Sequence, residues 1–98
     1  MFLRSFSQIK TGKVTLSSTA RKLALDSTLA NGCMDGGRVA VEVNNIGDET
    51  AYVGDKDVTT TTGLPIAKGT SRVFPVHYGS ADRIYIVGSD DVIIAEYF

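Results

Sequence analysis

Hydrophobic residues recur at every second position in the middle of this chain. Within residues 38–44 three valines alternate with smaller or polar residues, at positions 39, 41 and 43. Successive side chains of a strand point to opposite faces, so the pattern predicts a half-buried antiparallel strand with its valines inward. Residues 50–54 predict a second, short strand, and residues 45–49 have the length and glycine content of a hairpin connection. We therefore expect these two strands to pair.

The second half of the chain repeats this rhythm. Short apolar runs cover residues 72–76, 83–87 and 92–97, and the segments between them at 78–82 and 88–91 are rich in turn formers. Seven or eight short strands at intervals of about ten residues are typical of a sandwich, jelly roll or small barrel. The sequence therefore predicts an all-β fold, a small antiparallel β-sandwich or jelly-roll-like barrel in one domain.

Residues 16–29 allow two interpretations. The Ser-Ser-Thr-Ala step at residues 17–20 could open a helix over residues 21–25. Leu23 and Leu25 nevertheless lie two positions apart, a spacing that suits a strand equally well. We favour the strand.

Four consecutive threonines and a proline mark residues 58–71. The threonines favour extended backbone and place hydroxyls on both faces of a strand, while Pro65 removes one backbone donor. Such a segment belongs at a sheet edge or in a crossover between sheets, and residues 68–69 predict a tight turn into the next strand. A threonine-rich edge is also suited to pairing with a second copy of the chain. The candidate assembly contacts here are Thr59, Thr60 and Thr61.

The first residues of the chain carry four large apolar side chains separated by polar ones. Four exposed apolar residues would be a liability, so one interpretation is an arm that docks on a neighbouring subunit or on a larger shell. The other is a first edge strand or a frayed tail, and the sequence leaves both open. We assign residues 1–12 to this arm or edge strand and residues 13–98 to a single β-sandwich domain. The candidate assembly contacts in this part are Phe2, Leu3, Phe6 and Ile9.

Charge is balanced and scattered along the chain. Its 98 residues include 10 Lys and Arg and 11 Asp and Glu, for a formal net charge of -1. Nucleic-acid binding is disfavoured, because its non-specific affinity comes from clustered Lys and Arg, and a basic membrane-surface helix is absent. No apolar run reaches the length of a signal peptide or a membrane span. We therefore expect a soluble protein that binds neither nucleic acid nor membranes and does not follow the general secretory route.

Residues with catalytic or metal-binding chemistry are few. Cys33 is the only cysteine, which excludes an intrachain disulfide, and its turn-like surroundings offer no partner for a nucleophile or a metal ligand. His77 is the only histidine, no nucleophile elbow accompanies it, and a structural role is favoured. The acidic pairs at 55–57 and 90–91 do not have the spacing of acidic residues found in an EF-hand calcium loop. They are therefore interpreted as hydrated carboxylates of turns and not as a calcium site. The sequence therefore predicts a protein that is not an enzyme and holds no metal or cofactor.

A series of short motifs runs from residue 38 to the last residue. In order, they are a strand over 39–45, Tyr-Val-Gly at 52–54, Val-Thr-Thr at 58–60, Gly-Leu-Pro-Ile at 63–66, Lys-Gly-Thr-Ser at 68–71, Phe74, Ile-Tyr-Ile at 84–86 and a final strand over 92–96. This series resembles a group of small tailed-phage virion proteins that are encoded among head and tail genes. The resemblance extends weakly to residues 14–16, which in such proteins open the first strand.

The resemblance implies a structural role and carries over no catalytic residue. Where such proteins have a known role, it is capsid decoration or cementing, or the base of a head fibre; a position at the tail or neck is the alternative. The implied partners are the chain itself, as a dimer or trimer or assembled only on the particle, and the phage major capsid protein. The implied location is the virion, assembled in the host cytoplasm.

Two other function classes compete with this one. A carbohydrate-binding β-sandwich is favoured by the fold and by Tyr52, Tyr78 and Tyr85, and disfavoured by the lack of tryptophan. A small enzyme would have to use His77 and Asp57, which no recognisable motif accompanies. Structural assembly remains the leading hypothesis.

Overall fold

The fold is taken from a computed structural model, which describes residues 8–30, 38–76 and 83–98. The side chains of residues 29 and 30 are not described. Eight strands and one short helix make up these ranges. They are β1 (Ile9–Thr15), β2 (Arg21–Lys22), α1 (Asp26–Ala30), β3 (Ala40–Asn45), β4 (Ala51–Gly54), β5 (Leu64–Ile66), β6 (Ser71–Pro75), β7 (Tyr85–Val87) and β8 (Asp91–Tyr97).

The strands of the described residues form two four-stranded antiparallel sheets. Sheet A has the order β1-β8-β3-β6, and sheet B has the order β2-β7-β4-β5. Every connection except β4–β5 crosses from one sheet to the other. This order is that of a jelly roll, in which eight strands form two facing sheets. The prediction of an all-β fold, a small β-sandwich or jelly-roll-like barrel, is confirmed.

The hydrophobic core lies between the two sheets. Alternation along each strand turns one set of side chains inward, as predicted for β3, where Val41 and Val43 are fully buried. The core cluster joins residues of both sheets and of the β1–β2 and β2–α1 connections. Its members are Val14, Leu16, Leu23, Leu25, Val41, Val43, Ala51, Val53, Ile66, Val76, Ile86, Val92 and Ile94.

The predicted hairpin between β3 and β4 is wrong. β3 pairs with β6 and β8, whereas β4 lies in the other sheet and pairs with β5 and β7. The reason is Asn45, whose buried amide donates to the backbone carbonyls of Glu49 (2.8 Å) and Ile66 (2.9 Å). Its side-chain oxygen accepts the Gly47 N–H at 3.1 Å. These bonds turn the chain away from sheet A, so residues 46–50 form a crossover.

The preference for a strand over residues 16–29 holds only for β2. After Lys22 the chain buries three consecutive residues, Leu23, Ala24 and Leu25, and then forms the one-turn helix α1. Because three consecutive residues are buried, the hydrophobic pattern follows neither the period of a strand nor that of a helix. The spacing of Leu23 and Leu25 therefore does not distinguish the two.

The threonine segment is a turn rather than a strand or a crossover between sheets. It lies in the β4–β5 connection within sheet B, where the Thr62 hydroxyl accepts the Thr59 N–H (3.1 Å) and the Thr59 hydroxyl accepts the Thr61 N–H (3.3 Å). Such local side-chain bonds compete with strand pairing. Pro65 does lie in an edge strand, as predicted, and Gly69 makes the predicted turn with a φ of 75°.

The structure describes only the end of the predicted N-terminal segment, and the assignment of that segment is not tested. Residues 1–7, with Phe2, Leu3 and Phe6, lie outside the described residues. Residues 9–12 belong to β1, an edge strand of sheet A that pairs with β8 from Ile9 onwards. The division into an arm of residues 1–12 and a domain of residues 13–98 therefore stays a prediction.

Candidate functional site

The connections between strands gather at the two ends of the jelly roll. The short-loop end comprises the connections β1–β2, β3–β4, β5–β6 and β7–β8. Backbone hydrogen bonds join them: Gly88 N–H donates to Ser17 O at 3.0 Å, and Gly69 N–H donates to Asn45 O at 2.8 Å. The long-loop end comprises the remaining three connections, of which β2–β3 carries α1.

Asp90 organises the short-loop end. Its carboxylate accepts the backbone N–H groups of Asp48 and Asp91, both at 2.9 Å. These two bonds, the one from Asp48 first, hold the pKa of Asp90 below its ordinary value of 3.8. Asp91 in turn accepts the Thr15 hydroxyl at 2.7 Å. Asp90 thus joins the β7–β8 connection to the β3–β4 connection, and Asp91 joins the start of β8 to the end of β1.

The acidic pair at 55–57 also closes a turn. Asp55 accepts the backbone N–H of Asp57 at 2.9 Å, and both residues are exposed. Across the described residues, no three His, Cys, Asp or Glu side chains converge as metal ligands would. Cys33, His77 and Tyr78 lie outside those residues, so their predicted roles stay predictions.

A buried ion pair closes the long-loop end, and sequence reasoning missed it. Arg38 Nη1 lies 2.8 Å from Glu96 Oε2, and both side chains are 0% exposed. Glu96 also accepts the Thr28 hydroxyl at 2.5 Å and the Leu25 N–H at 3.3 Å, while Arg38 donates to the carbonyl of Leu23 at 3.0 Å. The pair therefore ties β8 to α1 and to the segment before β3.

One signal in the sequence could have revealed this pair. Glu96 follows Val92 and Ile94 at a spacing of two, so strand alternation places it on the inward face of β8. A buried carboxylate requires a cationic partner and further hydrogen bonds. Nothing in the sequence, however, identifies Arg38 among the ten basic residues as that partner.

The predicted assembly residues that the structure describes lie on different sheets. Ile9, 50% exposed, begins β1 and pairs with Tyr97 on sheet A. Thr59, Thr60 and Thr61 are exposed in the β4–β5 connection of sheet B. Ile9 and the three threonines therefore belong to different sheets, Phe2, Leu3 and Phe6 lie outside the described residues, and the role of all seven as contacts stays a prediction.

The outer face of sheet A carries a second short hydrogen bond. The Tyr97 hydroxyl donates to Glu42 at 2.5 Å, between strands β8 and β3. This bond, together with burial and the negative charge of Glu42, raises the pKa of Tyr97 above its ordinary value of 10.0. Tyr97 lies beside Ile9 in the strand register, so this face presents an aromatic ring next to an exposed aliphatic side chain.

The outer face of sheet B holds an open depression of about 320 Å³. We call it the Tyr52 depression, because Tyr52 of β4 is its one aromatic lining residue; the neighbouring Ala51 and Val53 belong to the core cluster. Its walls come from four connections that approach the sheet. The lining residues are Ser18, Glu49, Thr50, Tyr52, Thr60, Gly88 and Ser89.

The threonine turn forms one wall because the β4–β5 connection folds back over sheet B. Val58 anchors this fold and is buried; a Cβ at Gly54 or at Gly63 would stand within 2.8 Å of its Cγ2. A Cβ at Gly63 would also stand 2.6 Å from the Cβ of Tyr52. Glycine at both positions therefore lets the connection lie flat on the sheet and brings Thr60 to the depression.

Tyr85 lies opposite Gly54 in the β4–β7 pairing, diagonal to Tyr52 on the same face of sheet B. It lines a separate depression of about 290 Å³ with Asp55, Lys56 and Arg83. This second depression is charged, whereas the Tyr52 depression carries hydroxyls and a single carboxylate. Of the three tyrosines proposed for sugar binding, the structure thus places Tyr52 and Tyr85 in different sites.

Comparison with known proteins identifies the fold. No family model and no curated protein matches the sequence. Among solved structures, the stem and receptor binding domain of the bacteriophage PM2 spike protein is similar, with a TM-score of 0.59 and 12% identity over 92% of this chain. The match covers 32% of the spike chain, so this chain spans about a third of that length.

A second similar structure is a Bacillus endospore appendage protein from a family of disulfide-linked pili. It has a TM-score of 0.45 and 18% identity, over 100% of this chain and 96% of the other. Within the described part of this chain, α1 spans five residues, and no helix is long and apolar enough to cross a membrane.

Proposed function

We propose that this chain is a non-enzymatic structural protein of a phage particle, which associates with copies of itself and binds the capsid surface as a decoration or cement protein. The observation that carries the proposal is the jelly roll shared with a phage spike domain over 92% of the chain. The motif series from residue 38 to residue 98, which resembles small tailed-phage virion proteins, also favours a structural role in a phage particle. Jelly rolls recur in viral capsid and lectin domains, and fold alone is compatible with several functions.

The use of charged groups supports a structural role. The buried Arg38–Glu96 pair joins segments of the chain, and Asp55 and Asp90 cap turns. A catalytic site instead needs a nucleophile or base aimed at open space. Arg38, Glu96, Asp55 and Asp90 instead bond to other groups of the same chain.

The edge of sheet A supports attachment through the N-terminal segment. β1 is an edge strand with an exposed start at Ile9, and the apolar residues Phe2, Leu3 and Phe6 precede it in sequence. Burying these four side chains on a partner would contribute about 6–12 kcal/mol. Association costs about 4–15 kcal/mol, so one arm supports only weak pairing in solution. Many arms on a lattice bind strongly through multivalency.

Purified particle substructures provide the test. The chain is mixed with empty heads, tails and necks of the phage whose genome encodes it, and bound protein is measured by co-sedimentation. We expect saturable, stoichiometric binding to heads. Saturable binding to tails or necks alone would replace decoration with a tail or neck role, and no binding to any substructure would refute the proposal.

Variants of the first seven residues test the mode of attachment. A chain that starts at Gln8 retains all of β1, and a Phe2→Ser/Leu3→Ser/Phe6→Ser variant keeps the segment but removes its apolar groups. We expect both to lose head binding at least tenfold and to remain folded. The matched control, Ser5→Ala/Ser7→Ala, changes polar residues of the same segment and should bind as the unaltered chain does.

A further inference from the structure

We propose that the Tyr52 depression binds a saccharide, with the Tyr52 ring as a stacking platform and the Glu49 carboxylate as the main hydrogen-bond acceptor. This inference goes beyond particle assembly, because it assigns a ligand to the outer face of sheet B, whereas the attachment proposed above uses the β1 edge of sheet A. Thr60 alone belongs both to the depression and to the predicted assembly contacts.

The size and shape of the depression suit one or two sugar rings. Its volume of about 320 Å³ lies at the lower end of the range for small-molecule sites, roughly 300–1,000 Å³. It is open to solvent on one side, as a site for the end of a glycan chain must be. The jelly roll supplies a rigid floor, because β4 is paired on both sides, with Val87 and Pro65 opposite Tyr52.

The chemistry of the lining suits a neutral polyol. Aromatic rings carry negative charge on their faces, which attracts the weakly positive C–H groups on one side of a pyranose ring. Glu49 accepts hydrogen bonds from sugar hydroxyls, and charge-assisted bonds of this kind are among the stronger ones. The lining contains one carboxylate and no Lys or Arg, which disfavours phosphates and other anions.

The polar side chains of the lining are not engaged in the fold. Among the described residues, no hydrogen bond or ion pair involves the side chain of Ser18, Glu49, Thr50, Tyr52, Thr60 or Ser89. The neighbouring threonines behave differently: the Thr59 hydroxyl lies 3.1 Å from that of Thr61 and 3.0 Å from that of Thr62. Of the four threonines in the turn, Thr60 alone lines the depression. The groups that line the depression are thus the ones available to a ligand.

Titration of the ¹⁵N-labelled full chain, followed by amide shifts, tests the proposal. The probes are glucose, galactose, N-acetylglucosamine, lactose, maltose and chitobiose. We expect at least one to shift the amides of Thr50, Tyr52, Gly88 and Ser89 with a Kd of about 1 mM, the weak affinity that a shallow site provides. If none of the six shifts these amides, or if the shifts map to another surface, the proposal is wrong.

Variants separate a stacking site from incidental contact. Tyr52→Ala should weaken binding at least about tenfold, whereas Tyr52→Phe, which keeps the ring, should weaken it no more than about threefold. The matched control is Tyr97→Ala, a half-buried tyrosine of sheet A, which should leave the Kd unchanged. Equal losses in the two alanine variants would contradict a site at Tyr52.

A second variant keeps the test decisive if Tyr52→Ala fails to fold. Glu49→Gln alters only an exposed side chain. The backbone carbonyl of residue 49 can still accept the hydrogen bond from the Asn45 amide. We expect it to weaken binding about fivefold, because a neutral acceptor replaces a charged one. An unchanged Kd in this variant would refute the role of Glu49. The Glu49→Gln variant should bind phage heads as the unaltered chain does. The saccharide proposal and the particle-assembly proposal can therefore be refuted separately.

Discussion

The short-loop end and the long-loop end of the jelly roll are closed in different ways. At the short-loop end, the connections are three to five residues long. The Asn45 amide donates neutral hydrogen bonds to backbone carbonyls, and the Asp90 carboxylate accepts a charge-assisted one from a backbone N–H. At the long-loop end, a fully buried ion pair, Arg38 with Glu96, joins β8 to α1 and to the start of β3. The first end relies on two polar side chains, Asn45 and Asp90, that bond to backbone groups, and the second relies on two opposite charges that bond to each other.

This difference has energetic consequences. A hydrogen bond contributes a net of about 0.5–1.5 kcal/mol, so the short-loop end is stabilised in small increments. A buried ion pair has little net effect on stability compared with a hydrophobic replacement, but removing one partner leaves a buried charge and costs about 3–5 kcal/mol. The long-loop end should therefore be the more sensitive to a single substitution.

The largest effect is expected at the ion pair. Glu96→Gln removes the negative charge that lies 2.8 Å from the buried Arg38 guanidinium, and Arg38→Met removes the positive charge beside the buried Glu96 carboxylate. Each should lower the free energy of unfolding by about 3–5 kcal/mol and the Tm by about 15 °C or more. Urea and thermal unfolding measure both quantities.

The double variant separates lost charge balance from lost packing. Arg38→Met/Glu96→Leu should recover most of the loss, because both charges disappear together. Lys56→Ala serves as the control, since its ion pair with Asp57 is 76% and 80% exposed and should change stability by less than about 0.5 kcal/mol. Single variants as stable as this control would show that the pair does not hold the long-loop end together.

A smaller effect is expected at Asn45. Asn45→Ala removes the two bonds donated to the carbonyls of Glu49 and Ile66 and the one accepted from the Gly47 N–H, at a cost of about 2–3 kcal/mol. Asn44→Ala changes the neighbouring, exposed residue of β3 and should cost less than about 0.5 kcal/mol. A loss at Asn45 as large as that at Glu96 would erase the contrast between the two ends.

The smallest effect concerns acid stability at the short-loop end. Because the folded state lowers the pKa of Asp90, its carboxylate stabilises the fold above the pKa of the unfolded chain, about 3.9. That contribution is lost as the pH falls through the lower pKa of the folded state. Asp90→Asn should therefore flatten the decline in Tm below about pH 4, measured by thermal unfolding from pH 2 to pH 7.

Asp48 supplies the control for this titration. Its backbone N–H donates to Asp90, but its own side chain is exposed. Asp48→Asn should keep the acid-dependent decline of the unaltered chain. If Asp90→Asn and Asp48→Asn show the same profile, the two backbone bonds do not set the acid stability of this end.

The order of apolar, proline and glycine residues along the chain was enough to predict the elements that depend only on neighbouring residues. The alternating valines of β3, the apolar runs of β6 and β8, and Pro65 on an edge strand were all identified, because each follows from the geometry of a single strand. Gly69 was identified for the same reason, since a turn with positive φ favours glycine.

The predictions that proved wrong concern segments whose conformation depends on side-chain hydrogen bonds that the hydrophobic pattern does not reveal. The glycine-bearing connection after β3 is typical of a hairpin, but Asn45 bonds to Ile66, which is 21 positions away, and sends the chain to the other sheet. The threonines favour extended backbone, yet their hydroxyls bond to nearby backbone N–H groups and form a turn. The Tyr52 depression likewise combines residues of four connections, which no sequence window contains.

The sequence by itself determined the all-β class, the single core and most strand positions, because hydrophobic alternation with a period of two is a local property. Tertiary structure alone decided the strand order, the closure of the two ends and the site on sheet B. Strand order depends on which side chains meet across the core, and a buried charge such as Glu96 is stable only where the fold brings Arg38 to it.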